Sequence, residues 1–342
     1  MTGYFLRRLL LIIPTFLGIT LAAFVLMHFV PGGPVERQIA RYRMAVATEG
    51  GAAGGADLTT DIPAEALEEM RRFYGFDKPV HVRYATWLWN LARLDLGRSY
   101  VYQDPVWDVI RARFPVSIFL GLTGFFLGYL VCIPLGVFKA IRHGSRFDFI
   151  SSFLVFLGYS IPGWALGTAL LVLFGGGSFW DLFPLGQFRP NNWQSLNLAG
   201  KVIAQIHHMV LPVFCYMLGS FATLTILMKN SLMENLGQDY VRTAFAKGLD
   251  ERRAVFVHAL RNSMIPIATG LGHFISLILA GSFLIERVFN IDGMGLLGYT
   301  SILQRDYPVA LGILVISSVL MLIGNILSDI IYVVVDPRIR FR

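Results

Sequence analysis

The apolar positions of this chain do not alternate with polar ones at strand or helix spacing; they form long blocks free of Asp, Glu, Lys and Arg. The blocks cover residues 9–30, 116–138, 149–174, 206–228, 264–285 and 309–328. A helix rising about 1.5 Å per residue needs roughly 20 residues to cross about 30 Å of hydrocarbon, so each block predicts a membrane span. Pro14, Pro134, Pro162, Pro212 and Pro266 fall within or beside the blocks. A bundle tolerates them, because neighbouring helices cover the carbonyls that each proline frees. The pattern predicts an all-α integral membrane protein with about six transmembrane helices.

The polar segments between blocks set the orientation. Arg7 and Arg8, then Lys139, Arg142 and Arg146, then the bases from Lys229 to Arg261, and finally Arg338, Arg340 and Arg342 alternate with loops holding only Arg189 and Lys201, or Arg287 and Arg305. By the positive-inside bias, the first set is cytoplasmic and both termini face the cytoplasm. The organisation predicted is an N-terminal end with the first helix over 1–30, an external loop region over 31–115, and a core of five helices over 116–342 with a cytoplasmic loop at 229–263. Within the long loop, 48–56 is Gly/Ala-rich without apolar periodicity. A helix is predicted from Pro63, with Glu65, Glu68 and Glu69 early, Arg71 and Arg72 late, and Gly75 after them. Tyr84, Trp87, Leu88 and Leu91 line one face of a segment over 79–94; Trp87 and Trp89 suit a membrane surface, and packing onto the protein's own bundle fits equally. Asp104 and Pro105 open a short helix ending at Pro115.

Composition agrees with lipid rather than water as solvent. Of 342 residues, 55% are apolar and 15% charged, and the mean hydropathy is +0.60. The net charge of +7 is spread through loops, with no aromatic and basic interleaving on one face, which argues against nucleic acid. Cys132 and Cys215 both lie in apolar runs and read as packing residues. The block after Arg8 is too long for a signal-peptide core and no cleavage pattern follows it, so it is expected to stay as a helix.

The most informative polar stretch runs over 239–249 (DYVRTAFAKGL), followed by His258-Ala-Leu-Arg-Asn262. Thr243, Ala244, Ala246 and Gly248 are small, so a helix here can approach another backbone closely, and Gly248 can take the positive φ that turns the chain. Arg242, Lys247, Arg252 and Arg253 offer charges to a partner. The stretch resembles the Ala-x-x-x-Gly coupling loop of membrane subunits of ATP-binding-cassette importers, matched by Ala244 and Gly248. The wording Tyr240-Val-Arg-Thr-Ala, Ala246-Lys-Gly-Leu249 and His258-x-Leu-Arg-Asn262 is similar to the oligopeptide, dipeptide and nickel permeases. Pro31-Gly-Gly-Pro34, Tyr74-Gly-Phe-Asp-Lys-Pro79, Asp95-Leu-Gly-Arg-Ser99 and Asp336-Pro-Arg-Ile339 extend the likeness over nearly the whole chain. The lengthened loop with Phe179-Trp-Asp-Leu-Phe-Pro-Leu185 resembles most the peptide permeases associated with microcin C uptake. Phe245 stands where the family commonly has Arg, and Arg242 where the general signature has Glu.

The resemblance implies a type I importer permease fold with a long periplasmic loop after the first helix, in the bacterial inner membrane. It implies no catalytic centre and no cofactor in this chain; ATP and Mg belong to two ATPase subunits or one fused ATPase. The other partners implied are a second permease subunit in a heterodimer, a periplasmic substrate-binding protein, the lipid bilayer and a peptide cargo, with dipeptide or nickel as alternatives. The absence of GxxxxGK[ST] accords with that division. Tyr240, Arg242, Thr243, Ala244, Ala246, Lys247, Gly248 and Leu249 are then the ATPase-coupling residues. His273, near the middle of the fifth span, is a candidate for the translocation pathway, or else a packing histidine. Glu286, Asp292, Gly293 and Gly295 are candidates for an external gate, where many relatives read Pro-Gly for Asp-Gly, or else for a tight turn. A secondary transporter is the rival class, and the sequence shows no clear internal repeat and no clear sign of the intramembrane charges or broken helices that such proteins usually carry. An intramembrane enzyme lacks a nucleophile with a base in reach.

Overall fold

The computed structural model describes residues 2–29, 77–177, 179–270 and 282–335, with isolated positions between 33 and 72. In chain order its helices are α1 (Thr2–Phe29), α2 (Val80–Ala92), α3 (Val106–Arg111), α4 (Phe114–Ile141), α5 (Arg146–Ser160), α6 (Gly163–Phe174) and α7 (Leu198–Leu236). There follow α8 (Asp239–Ala246), α9 (Glu251–Arg253), a π-helical turn (Ala254–Ala259), α10 (Leu260–Ser263), α11 (Ile265–Gly270), α12 (Phe283–Val288), α13 (Met294–Leu303) and α14 (Tyr307–Val335). No strand occurs among the described residues, in keeping with an all-α membrane chain.

Four helices, α1, α4, α7 and α14, carry stretches long and apolar enough to cross a membrane. The third expected span, 149–174, is not one straight helix. It is the pair α5 and α6, bent by 97°. The cause is Pro162, which lacks an N–H and forces Ile161 before it out of helical geometry, to φ −96° and ψ 121°. Of the fifth expected span, 264–285, only the start in α11 and the end entering α12 lie among the described residues. The Gly/Ala-rich stretch 48–56, most of the helix expected from Pro63, and the motifs at 31–34, 74–76 and 336–339 lie largely or wholly outside them.

The chain divides into two compact units: residues 1–10, 113–297 and 319–342, and residues 11–112 and 298–318. In the first, α4 lies along α7 because glycines on α4 carry no side chain to hold them apart. A Cβ on Gly136 would come within 2.6 Å of the Met228 Cβ, and one on Gly124 within 3.1 Å of the Tyr216 Cβ. Around that contact Cys132, Leu224, Met228, Leu232 and Val241 form one core cluster. Leu120, Met209, Cys215, Phe289 and Ile291 form a second. Both cysteines are free and buried.

In the second unit, α2 packs on the later half of α1. Tyr84 Oη lies 3.0 Å from Thr20 Oγ1, and the rings of Tyr84 and Trp87 sit 5.3 and 5.9 Å from that of Phe24. The face over Tyr84, Trp87, Leu88 and Leu91 is half-buried as its spacing predicts, on the protein itself; Trp89 is 61% exposed on the other side. The short helix expected from Asp104 to Pro115 is only Val106–Arg111, and no side chain caps it. Asp306, fully buried, anchors the loop before it. Its carboxylate accepts from the Ser99 hydroxyl, from Tyr100 N at 3.0 Å and from Val101 N at 3.3 Å.

Candidate functional site

The hairpin after α7 is built from that helix. With 39 residues, α7 is about 58 Å long at 1.5 Å per residue, well beyond the hydrocarbon thickness. It therefore carries its own polar extension. Gly237 ends it, Gln238 turns extended, and α8 begins. α8 is pinned back by Val241, wholly buried against the α7 core, and by Ala244, 8% exposed. The Tyr240 hydroxyl donates to Asn235 Oδ1 at 2.8 Å. Gly248 has φ +83°, the left-handed turn that the sequence reading assigned to it, and Leu249 N donates to Ala244 O at 3.2 Å. The return limb runs through the π turn and is tied to α7 where the Ser231 hydroxyl donates to Ser263 O at 3.0 Å; the Ser263 hydroxyl donates to Ala259 O at 2.8 Å and lies 3.3 Å from Ser231 O.

This sorts the residues singled out in the sequence. Tyr240, Arg242, Thr243, Ala246, Lys247 and Gly248 are exposed, Leu249 is half-buried, and Ala244 faces inward. The expectation that Ala244 itself meets another backbone gives way to a different role: its small side chain lets α8 sit close on its own hairpin. Phe245, 45% exposed, stands on the open side instead.

A buried ionic group at the foot of α7 carried no motif. Lys139, counted in the sequence among the cytoplasmic bases, has a side chain only 1% exposed. It donates to Ser152 Oγ at 2.6 Å, Ser151 Oγ at 2.9 Å and Asp148 O at 3.1 Å. Lys229 of α7 reaches both Asp148 carboxylate oxygens at 2.8 Å, and His143 Nδ1 lies 3.2 Å from one of them. One carboxylate thus joins α4, α5 and α7 at a single point. Elsewhere in the same unit Arg8 forms an ion pair with Asp329.

Three of the four candidate gate residues come together. Glu286 is fully buried; its carboxylate accepts from Leu296 N at 2.6 Å and from the Tyr216 hydroxyl at 3.2 Å. Tyr216 Oη accepts in turn from Ser282 N at 2.7 Å. A Cβ on Gly293 would lie 2.7 Å from the Glu286 carboxyl carbon, and one on Gly295 2.7 Å from Phe283 N, so both glycines are required by close approach. Burial pushes the Glu286 carboxyl up from its ordinary value, against the lowering effect of the donors around it. Asp292 stands apart, 67% exposed, paired with Arg113 at 2.9 Å. Gly186, at φ +146°, packs on the Phe289 carbonyl, with Gln187 N donating to that oxygen at 2.8 Å. His207 Nε2 and His208 Nδ1 lie 2.7 and 3.1 Å from the carbonyls of Leu182 and Gly186.

Tyr216 also borders a cavity of about 600 Å³ between α4, α6, α7 and α11. Tyr129, Trp164, Ser220 and Thr223 line it, with glycines between, and none of its described lining residues is charged. His273 lies outside the described residues.

These features define a multi-span helical membrane protein in which a polar hairpin grows rigidly out of one long span. The chain belongs to the family described as binding-protein-dependent transport system inner membrane component, which matches residues 132–341. It is 40% identical to the peptidoglycan transport system permease protein YejB of Agrobacterium fabrum over all of this chain and 99% of that protein. It is also 40% identical to the inner membrane ABC transporter permease protein YejB of Escherichia coli O157:H7, over the whole of both. The dipeptide transport system permease protein DppB of Escherichia coli K12 is 34% identical, again over the whole of both.

Proposed function

We propose that this chain forms half of the translocation pathway of an ATP-driven importer of peptides or peptide-containing molecules, and that residues 239–249 couple it to the ATPase. The observation that carries the coupling role is mechanical. α8 is clamped to the extension of α7 by Val241, Tyr240 and the Ser231–Ser263 pair, so a push on its open face is delivered to a span as a rigid lever. Thr243, Phe245, Ala246 and Lys247 present that face. Nucleotide and Mg are held by two ATPase subunits or one fused ATPase, and this chain holds no cofactor. A second, different permease subunit completes the pathway, and a soluble binding protein delivers cargo on the far side. Both termini and the hairpin face the cytoplasm, as the distribution of Lys and Arg supports. The cargo class is supported by relatives named for dipeptide, oligopeptide and peptidoglycan transport. The uncharged cavity beside Tyr216 is a passage in which a peptide backbone meets hydroxyls and aromatic rings rather than fixed charges. Glu286 with Gly293 and Gly295 holds the loop at its outer end.

Gly248→Trp tests the coupling. Nothing lies within 4 Å of a Cβ there, but the φ of +83° strains any side chain, so Gly248→Ala, which carries the strain without the bulk, is the control for the tryptophan variant. The variant is expected to stay assembled in the membrane while ATP-driven peptide uptake falls at least tenfold; uptake at the normal rate contradicts the coupling role. Transport by the purified chain without any ATPase favours a secondary transporter.

A further inference from the structure

The unit formed by residues 11–112 and 298–318 contains a second cavity, of about 500 Å³. Its floor is apolar: Phe24 and Met27 near the end of α1, and Leu311 in the first turns of α14. Its rim is cationic, with Lys78, Arg83 and Arg98 against the single lining carboxylate of Asp95. Asp95 is already engaged, accepting from Gly97 N at 2.8 Å. Lys78 and Arg98 form no ion pair with a described residue. Burial lowers the pKa of the Arg83 guanidinium, and Tyr100, Tyr307 and Asp77 act against that shift. An anion beside it offsets the same desolvation. The side chains of Thr86, Asn90 and Gln103 add neutral hydrogen-bonding groups.

The position of the cavity along α1 matters as much as its charge. Nineteen residues separate Arg8 from Met27, which is about 28 Å of helix and close to one hydrocarbon thickness. With Arg8 at one lipid–water boundary, Met27 lies at the other. The cavity thus has its apolar floor at the edge of the acyl region and its cations at the level of lipid headgroups. A free anion satisfies the rim and leaves the floor empty, whereas an anionic amphiphile satisfies both.

We propose that this cavity binds an anionic phospholipid, with Lys78, Arg83 and Arg98 receiving the phosphate and Phe24, Met27 and Leu311 receiving the first methylenes of an acyl chain. The site rests on the membrane reading of the chain, and the orientation proposed above names the leaflet, the outer one. Binding of this kind anchors the loop region to the bilayer without taking part in transport chemistry.

The test uses the complete importer in nanodiscs of phosphatidylcholine with a minor share of phosphatidylglycerol, followed by release into detergent, washing and native mass spectrometry. The wild type is expected to retain phosphatidylglycerol selectively. Arg83→Gln with Arg98→Gln should lower that retention about thirtyfold, since each basic residue near an anionic lipid contributes about one kcal/mol. Lys78→Gln, at an exposed rim position, should lower it about fivefold with the thermal unfolding midpoint unchanged, which separates loss of the site from loss of the fold. Equal retention by the wild type and both variants overturns the proposal. Displacement of the lipid by inorganic phosphate in the wash overturns the lipid assignment in favour of a free-anion site. Neither readout depends on peptide uptake, so failure of the importer reading and failure of this site are distinguishable.

Discussion

Glu286 shows how much one side chain organises at residue scale. Its carboxylate accepts from the Leu296 N–H and the Tyr216 hydroxyl, and that hydroxyl accepts in turn from the Ser282 N–H. Burial nonetheless raises its pKa above 4.5. An acid with a raised folded-state pKa contributes stability that is complete below its unfolded pKa and lost as pH rises through the folded one. Glu286→Gln cannot titrate, so its stability relative to the wild type should improve as pH rises through and above the ordinary carboxylate range. Thermal unfolding of the two proteins in detergent across that range checks the sign; a Glu286→Gln variant that loses stability relative to the wild type as pH rises contradicts it. The glycines of this cluster were legible in the sequence as turn residues, because an Asp-Gly followed by a second Gly has few other readings. Tyr216 was not, since a tyrosine inside an apolar block carries no signal until its hydroxyl meets Ser282 N.

At the scale of elements, the apolar blocks located α1, α4, α7 and α14, with α4 matched to within three residues and both ends of α7 reaching eight residues beyond its block. The sequence did not show where they stop. α7 continues past its apolar block because Met228 to Leu236 keeps helical spacing on the face that meets α4 and Val241, and tertiary packing extends a helix that hydropathy would end. The kink between α5 and α6 was legible as Pro162 and was read as tolerated rather than as a break. The group around Asp148 escaped because its members are far apart in sequence, and a lysine in a loop ordinarily means a solvated charge. Its energetics follow from burial. Asp148→Asn leaves Lys139 with hydroxyl and carbonyl partners and no counter-charge, and should cost about 3–5 kcal/mol. Lys139→Met in the same background removes the stranded charge and should recover much of that loss, measured by chemical unfolding in mixed micelles. If the double variant is no more stable than Asp148→Asn alone, Lys139 is not the burden assigned to it.

At the scale of the whole molecule, two levels of information met. Hydropathy and loop charge predicted a polytopic chain, with which the family match over residues 132–341 agrees, and the small-residue stretch at 239–249 pointed to a docking hairpin. Under the proposed coupling, the length of α7 has a use: a span that ended at the lipid boundary would have nothing rigid to be pushed by. The account therefore stands on the open face of α8 meeting the ATPase. A photoreactive amino acid in place of Thr243, exposed and bonded only to the Asp239 carbonyl at 2.9 Å, tests this in the assembled, transport-active importer. The expected product is a covalent adduct with the ATPase subunit whose yield changes between nucleotide-free and ATP-bound states. An adduct with the substrate-binding protein, or none while uptake proceeds, contradicts it.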